Sequence, residues 1–285
     1  MKPLFTIYIA LITCMACAQK KNTSFTSPSH YNLNEPQQMV FPSELEEVSG
    51  ITFIDGDPNR LLAQQDEQGH VYYLRAGDKS AKHVKFAGKG DYEDIAISGS
   101  HVILLRSDGS FFTFPLQEQY DTEITAVVSE KILPKGEYES LAVSSTNNNV
   151  YVLCKQCNVD KKTTQTTGYI LKLKADGQVI KEGSYSIDNE EISKYVKLKG
   201  KAFRPSALTR NQKTNEWYIV SSINKLLVIV GDDWKVKEAH SLNPKLFNQP
   251  EGIAFDRDNN LYISNEAGDT GEATLLKFDY KEKGV

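Results

Sequence analysis

Asp91-Tyr92-Glu93-Asp94-Ile95-Ala96-Ile97 is one copy of a pattern that returns along the whole chain. Glu47-Val48-Ser49-Gly50-Ile51, Glu139-Ser140-Leu141-Ala142-Val143, Ser206-Ala207-Leu208-Thr209 and Glu251-Gly252-Ile253-Ala254-Phe255 repeat it. Each begins with an acid or hydroxyl and passes through short residues into an apolar run. With Glu47, Glu93, Glu139, Ser206 and Glu251 as anchors, the spacings are 46, 46, 67 and 45 residues. A period near 45 carrying several short strands is how a propeller blade reads in sequence.

Within a repeat, the anchor strand is followed by turn residues, a second strand, another turn and a third strand with alternating apolar positions. The second copy shows this as Ile95-Ala96-Ile97, Ser98-Gly99-Ser100, Val102-Ile103-Leu104-Leu105, Ser107-Asp108-Gly109 and Phe111-Phe112-Thr113-Phe114. Asp, Gly, Pro and Asn supply the backbone conformations that hairpins need. The spacing of 67 is accounted for by polar excursions in the third repeat, one of which, Asp188-Asn189-Glu190-Glu191-Ile192-Ser193-Lys194-Tyr195, suits a single helical turn. The expected fold is an all-β propeller of five four-stranded blades, six being the alternative if the long repeat hides a degenerate blade. The last repeat ends after Thr274-Leu275-Leu276-Lys277-Phe278 and lacks a fourth strand. Residues 31–41 are expected to supply it and close the ring, which removes an exposed edge.

A chain of 285 residues is within reach of one large all-β domain. Its 33 basic and 37 acidic side chains leave a net charge of −4, so nucleic acid is not an expected partner. Lys2 followed by Leu4-Phe5-Thr6-Ile7-Tyr8-Ile9-Ala10-Leu11-Ile12 has the charged start and short apolar core of an export signal. The sequence Thr13-Cys14-Met15-Ala16-Cys17 that follows resembles a bacterial lipobox. Cys17 is the expected acylated residue and Cys14 the alternative. The reading is therefore a signal peptide over 1–16, a flexible tether over 17–30, a propeller over 31–285 and a lipid anchor to a membrane.

Two groups of residues carry a family resemblance. One is the set of anchors Glu47-Val48-Ser49-Gly50-Ile51, Asp91-Tyr92-Glu93-Asp94-Ile95-Ala96, Glu137-Tyr138-Glu139-Ser140-Leu141-Ala142, Arg204-Pro205-Ser206-Ala207-Leu208 and Gln249-Pro250-Glu251-Gly252-Ile253-Ala254. The other is Gln64-Gln65-Asp66-Glu67 and Leu261-Tyr262-Ile263-Ser264-Asn265-Glu266. Together they resemble the SdiA-regulated (YjiK-like) family over about residues 40–280. What the resemblance implies is a β-propeller in the periplasm or on the outer face of a bacterial inner membrane, with no established reaction.

First strands of propeller blades line the central channel, so equivalent positions converge on one ring. Glu47, Glu93, Glu139, Ser206 and Glu251 are the expected ring, with Asp66, Glu67, Arg106, Lys155, Asn265 and Glu266 expected at its mouth as further ligand-binding candidates. Gathered carboxylates repel one another unless a cation compensates. Glu47, Glu93, Glu139 and Glu251 are therefore candidate ligands of calcium, which takes oxygen donors. The alternative is that each carboxylate bonds backbone N–H groups of the neighbouring blade. Enzyme motifs such as Gly-x-Ser-x-Gly, His-Glu-x-x-His and the phosphate-binding loop are missing from the sequence. The favoured function is a tethered module binding an unknown small ligand or protein partner, and the alternative is a metal-dependent hydrolase using the channel carboxylates. Cys154 and Cys157, in an oxidising compartment, are expected to form a local disulfide.

Overall fold

Strand-forming runs rich in Val, Ile, Leu and aromatic residues bury both faces when small sheets stack side by side around an axis. The computed structural model describes residues 25–282 apart from 118, 121, 199–201 and 269–270, and among them the chain forms a five-bladed propeller. β1 (Gln37–Val40) precedes the first blade, which consists of β2 (Val48–Phe53), β3 (Leu61–Gln65), β4 (Gln68–Leu74) and β5 (Lys82–Lys89). The second begins with β6 (Tyr92–Ser98), β7 (His101–Arg106) and β8 (Phe111–Pro115). The chain then returns as β9 (Thr122–Glu123) to pair in parallel with β5, before β10 (Val127–Ser129) completes the blade. The third comprises β11 (Gly136–Val143), β12 (Asn149–Cys157), β13 (Gln165–Leu173) and β14 (Val179–Asp188), followed by α1 (Asn189–Ser193). The fourth has β15 (Ala207–Asn211), β16 (Glu216–Ser221), β17 (Leu226–Val230) and β18 (Val236–Ser241), and the fifth has β19 (Pro250–Phe255), β20 (Leu261–Asn265) and β21 (Thr274–Phe278).

The six-blade alternative falls because the extra residues of the third repeat lengthen its own strands and form α1. That helix starts where the Asp188 side chain accepts from the Glu190 backbone N–H. Ring closure occurs as expected: β1 lies antiparallel on β21, with Gln37 opposite Lys277 and Val40 opposite Thr274. Hairpins between first and second strands turn through left-handed residues, namely Asp55, Gly56, Gly99, Asn148, Asn215 and Asn259, which are the residue types that tolerate positive φ.

Five apolar clusters hold the ring, one between each pair of adjacent blades. Ile51, Ile95, Leu141, Leu208 and Ile253 stand at one register position of the five inner strands, and each enters a different cluster. The inner strands therefore fix the blade-to-blade spacing.

The segment before β1 is folded earlier than the boundary at residue 31 implies. Thr26 Oγ1 bonds His240 Nδ1 at 2.9 Å, the Leu33 N–H donates to Ser27 Oγ, and the buried Tyr31 hydroxyl donates to the Asn259 carbonyl at 2.8 Å. The tether expected over 17–30 thus gives way to packed chain by Thr26, because Tyr31 and Leu33 complete the core between blades four and five. Cys14, Cys17 and the export signal lie outside the described residues. Among those described, no helix is long and apolar enough to cross a membrane.

Candidate functional site

Every inner strand begins at one end of the channel, and four of the five do so with a β-bulge. Pairing passes from Val48–Gln65 to Gly50–Gln64, from Tyr92–Arg106 to Asp94–Leu105, from Tyr138–Cys154 to Ser140–Leu153, and from Pro250–Asn265 to Gly252–Ser264. One residue in each strand is left without a cross-strand partner: Ser49, Glu93, Glu139 and Glu251. A bulge re-aims the side chain of its extra residue. In blade four, Ser206 takes the corresponding place next to Ala207, and its Oγ accepts from the Ser222 N–H at 3.1 Å.

The ring at this level is accordingly Ser49, Glu93, Glu139, Ser206 and Glu251. Glu47 belongs two residues earlier, on the rim, where Glu47 and Asp91 are exposed and Glu137 and Gln249 half-buried. The expected anchor alignment was out of register by two residues in the first blade alone. Glu47 and Ser49 both carry oxygen, and only the bulge distinguishes them.

Two mouth residues are turned elsewhere. The Arg106 guanidinium is forked onto Asp108, reaches Glu130 at 3.5 Å and lies over the Phe112 ring. Asn265 is buried in its blade, where its amide donates to the Leu246 carbonyl and to Thr274. Strand alternation explains the second case, since Asn265 and Glu266 are neighbours and face opposite ways. Glu67 is exposed on the β3–β4 turn, next to Asp66.

The remaining side chains meet at the mouth in an uneven distribution of charge. Lys155 bonds Glu139 and lies 3.4 Å from Glu137, all on blade three. Lys225 of blade four donates to the Asn248 carbonyl. Blades five, one and two contribute Glu266, Glu47, Asp66, Asp91 and Glu93, and among the described residues no basic side chain bonds any of these five. Asp91 accepts from the Ser107 hydroxyl and Glu266 from the Gln249 amide. Oδ1 of Asp66 and Oε2 of Glu139 are buried with no protein partner.

Burial and mutual repulsion push several of these carboxyls above the usual carboxylate range. Glu93 is pushed up to about 8, first by burial and then by Asp91, with Lys155 opposing. Glu266, only 8 % exposed, is pushed up to about 9 by burial and by Glu251, Asp66, Glu47 and Glu93. Asp66 rises to about 6 for the same reasons. Glu251 is raised by burial, against the pull of the Ser206 and Ser222 hydroxyls and of Lys155 and Lys225.

Two of the four expected calcium ligands are set apart from the others. Glu139 is held by Lys155, Glu47 stands out on the rim, and no three acidic, histidine or cysteine side chains among the described residues are grouped to hold a metal ion.

The bridging of blades by an acidic side chain does occur, through a residue outside the expected ring. Asp94 is 3 % exposed and accepts from the Ile95 N–H at 2.8 Å and from the Leu141 N–H of the next blade at 2.6 Å. Gly50, Ser140, Ala207 and Gly252 occupy its register position in the other blades. An acid standing where four copies have a small residue is a signal the repeat alignment contained. Cys154 and Cys157 are joined as a disulfide, at the point where Lys155 is left unpaired between Tyr138–Cys154 and Glu137–Gln156. The bridge stiffens the strand end that presents Lys155.

Five four-stranded blades, a ring closed by an amino-terminal strand and polar residues gathered at one channel mouth define a β-propeller with a polar central site. A profile of the SdiA-regulated family matches residues 26–268, and the chain belongs to that family. No curated protein matches the sequence. Among solved structures, the chain is similar to the glutaminyl cyclase of Myxococcus xanthus, with 14% identity, a TM-score of 0.56 and coverage of 86% of this chain and 96% of that one. It is also similar to a luciferin-regenerating enzyme (9%, 0.53, 88% and 98%) and to streptogramin B lyase (10%, 0.52, 86% and 98%). Identities this low speak to the fold alone.

Proposed function

We propose that the protein is an exported, membrane-tethered binding module whose acidic mouth takes a ligand bearing an aliphatic ammonium group. The observation that carries this reading is the crescent of Glu266, Glu47, Asp66, Asp91 and Glu93, five carboxyls from three adjacent blades with no basic side chain bonded to them among the described residues. A compact metal ion needs ligands converging on a point, and these acids are spread along an arc. An ammonium group, with three donors on a flexible stem, suits separated carboxyl oxygens. Lys155 and Lys225 limit the crescent on the side of blades three and four and keep the cation on the opposite wall.

Binding would be linked to protons. Glu93 and Glu266 hold protons near neutral pH because burial and neighbouring carboxyls outweigh the pull of Lys155 on Glu93, and an arriving cation favours the ionised forms and releases those protons. The test uses pentane-1,5-diamine as the probe. A ligand at about 100 times its Kd stabilises the folded state by about 2.7 kcal/mol, so a diamine-dependent rise in Tm is expected. Glu93→Gln and Glu266→Gln should abolish most of it, and sodium chloride at matched ionic strength should not reproduce it. No rise in the parent protein would refute the reading.

The tether is proposed on the sequence 1–17. The mass of the protein extracted from membranes is expected to show a chain starting at Cys17 with added acyl groups. A soluble chain without acyl mass would refute the anchor.

A further inference from the structure

The opposite end of the channel holds a second compartment. It is a cavity of about 610 Å3, formed by the far halves of the inner strands and their hairpins, and none of the acidic mouth residues lines it. Its volume falls within the roughly 300–1,000 Å3 of small-molecule sites. The cavity exists because one layer of the inner strands carries short side chains: Thr52, Ala96, Ala142, Thr209 and Ala254 occupy the same register position in blades one to five. The next layer provides apolar walls from Phe53, Ile97, Val143 and Phe255 in four blades and carries Arg210 in blade four.

Asp55, Arg210, Lys213, Asp256 and Arg257 line the outer part of the same cavity, and each is already engaged. Arg210 is forked onto Asp232 and lies over Trp217, while Arg257 is 3.0 Å from Asp57 and Asp55 is 3.3 Å from Arg60. Asp256 accepts from the Asn260 amide, the Tyr262 hydroxyl and two turn N–H groups. Lys213 sits over the Tyr280 ring, 4.1 Å from its centre. In contrast, the hydroxyls of Thr52 and Thr209 have no hydrogen-bond partner among the described residues. They come from blades one and four, which are not neighbours, so they face the cavity from well-separated parts of its wall.

From this we infer that the cavity is a binding site for an uncharged, largely apolar small molecule carrying hydroxyl or carbonyl oxygens. Apolar walls supply the affinity through burial, and the two threonine hydroxyls supply orientation. The charged side chains of the lining are already paired with protein partners, so an ionic ligand would have to compete with those pairs for a counter-charge. The inference is independent of the acidic mouth: the two ends of one channel select opposite chemistry, a cation at one and a neutral molecule at the other.

The probe is N-phenyl-1-naphthylamine, an uncharged amphiphile whose emission rises on entering an apolar site. The expected result is saturable binding of one probe per chain. Thr52→Leu and Thr209→Leu together should weaken it at least tenfold by filling the cavity, with Tm retained. If the double variant fails to fold, each single variant carries the same expectation with a smaller loss. Glu93→Gln should leave probe binding unchanged, which separates this site from the mouth. The sulfonated analogue 1-anilinonaphthalene-8-sulfonate, similar in body but anionic, should bind at least tenfold more weakly. Failure of the neutral probe to bind the parent protein, equal binding by the folded leucine variants, or equal affinity for the anionic dye would each overturn the inference.

Discussion

The side-chain carboxyl of Asp94 accepts a hydrogen bond from the backbone N–H of Leu141 at 2.6 Å, across the junction between blades two and three. Both groups are buried, and the bond joins two inner strands that otherwise meet through apolar contacts. Asp94→Ala would leave the Leu141 N–H without a partner, at a cost of about 1–3 kcal/mol. For a chain of this size, about 2–4 °C of Tm is lost per kcal/mol. Thermal unfolding of the variant is expected to show a fall of that order, and an unchanged Tm would mean that water or a backbone shift replaces the carboxyl.

Lys155 is expected to matter more than its position at the mouth suggests, because it holds Glu139, which is 5 % exposed. Removing one partner of a buried pair strands the other charge and costs about 3–5 kcal/mol, whereas removing both costs much less. Lys155→Met should therefore destabilise strongly, and the double variant with Glu139→Gln should recover a large part of the loss. Additive losses in a chemical-denaturation cycle would contradict the pairing.

The pH dependence of stability follows from the raised carboxyls. Unfolded, Glu93 and Glu266 ionise near their ordinary value of 4.5; folded, they hold protons up to about 8 and about 9. Below the unfolded value both states are protonated and no penalty exists. Between the unfolded and folded values the native state binds more protons, so stability falls as pH rises and levels off above the folded values. Tm is expected to decline from about pH 5 to about pH 9, and Glu93→Gln and Glu266→Gln should flatten that decline. A parent Tm that stays level or rises across this window would show that the mouth carboxyls are ionised throughout.

The fold was legible because the repeats preserve two features that survive sequence drift: an apolar strand after each anchor and Asn, Asp or Gly at the hairpins. Strand closure was legible as well, since a last repeat lacking a fourth strand needs one from elsewhere. The site was only partly legible. Bulges at Ser49, Glu93, Glu139 and Glu251 set which side chain enters the channel, and a bulge has no residue signature of its own beside a neighbour such as Glu47. Arg106 reads like a mouth cation until Asp108, Glu130 and Phe112 surround it, and those contacts join a hairpin to an adjoining strand. The far cavity left no trace in the sequence, because Thr52, Ala96, Ala142, Thr209 and Ala254 are ordinary strand residues whose effect comes only from standing at one level of a closed ring. Asp94 was different, being an acid where Gly50, Ser140, Ala207 and Gly252 mark a crowded position. A Cβ added to Gly50 would lie 2.7 Å from Asp94 Oδ1.

The central claim, that the crescent of carboxyls takes an ammonium ligand by giving up protons, is tested most directly by titration calorimetry with pentane-1,5-diamine near neutral pH, in two buffers of different ionisation enthalpy. The predicted result is binding whose heat differs between the buffers by an amount that corresponds to proton release, with Glu93→Gln and Glu266→Gln each reducing that release and weakening affinity at least tenfold. Binding with equal heats in both buffers, or with affinity that both variants retain, would contradict it.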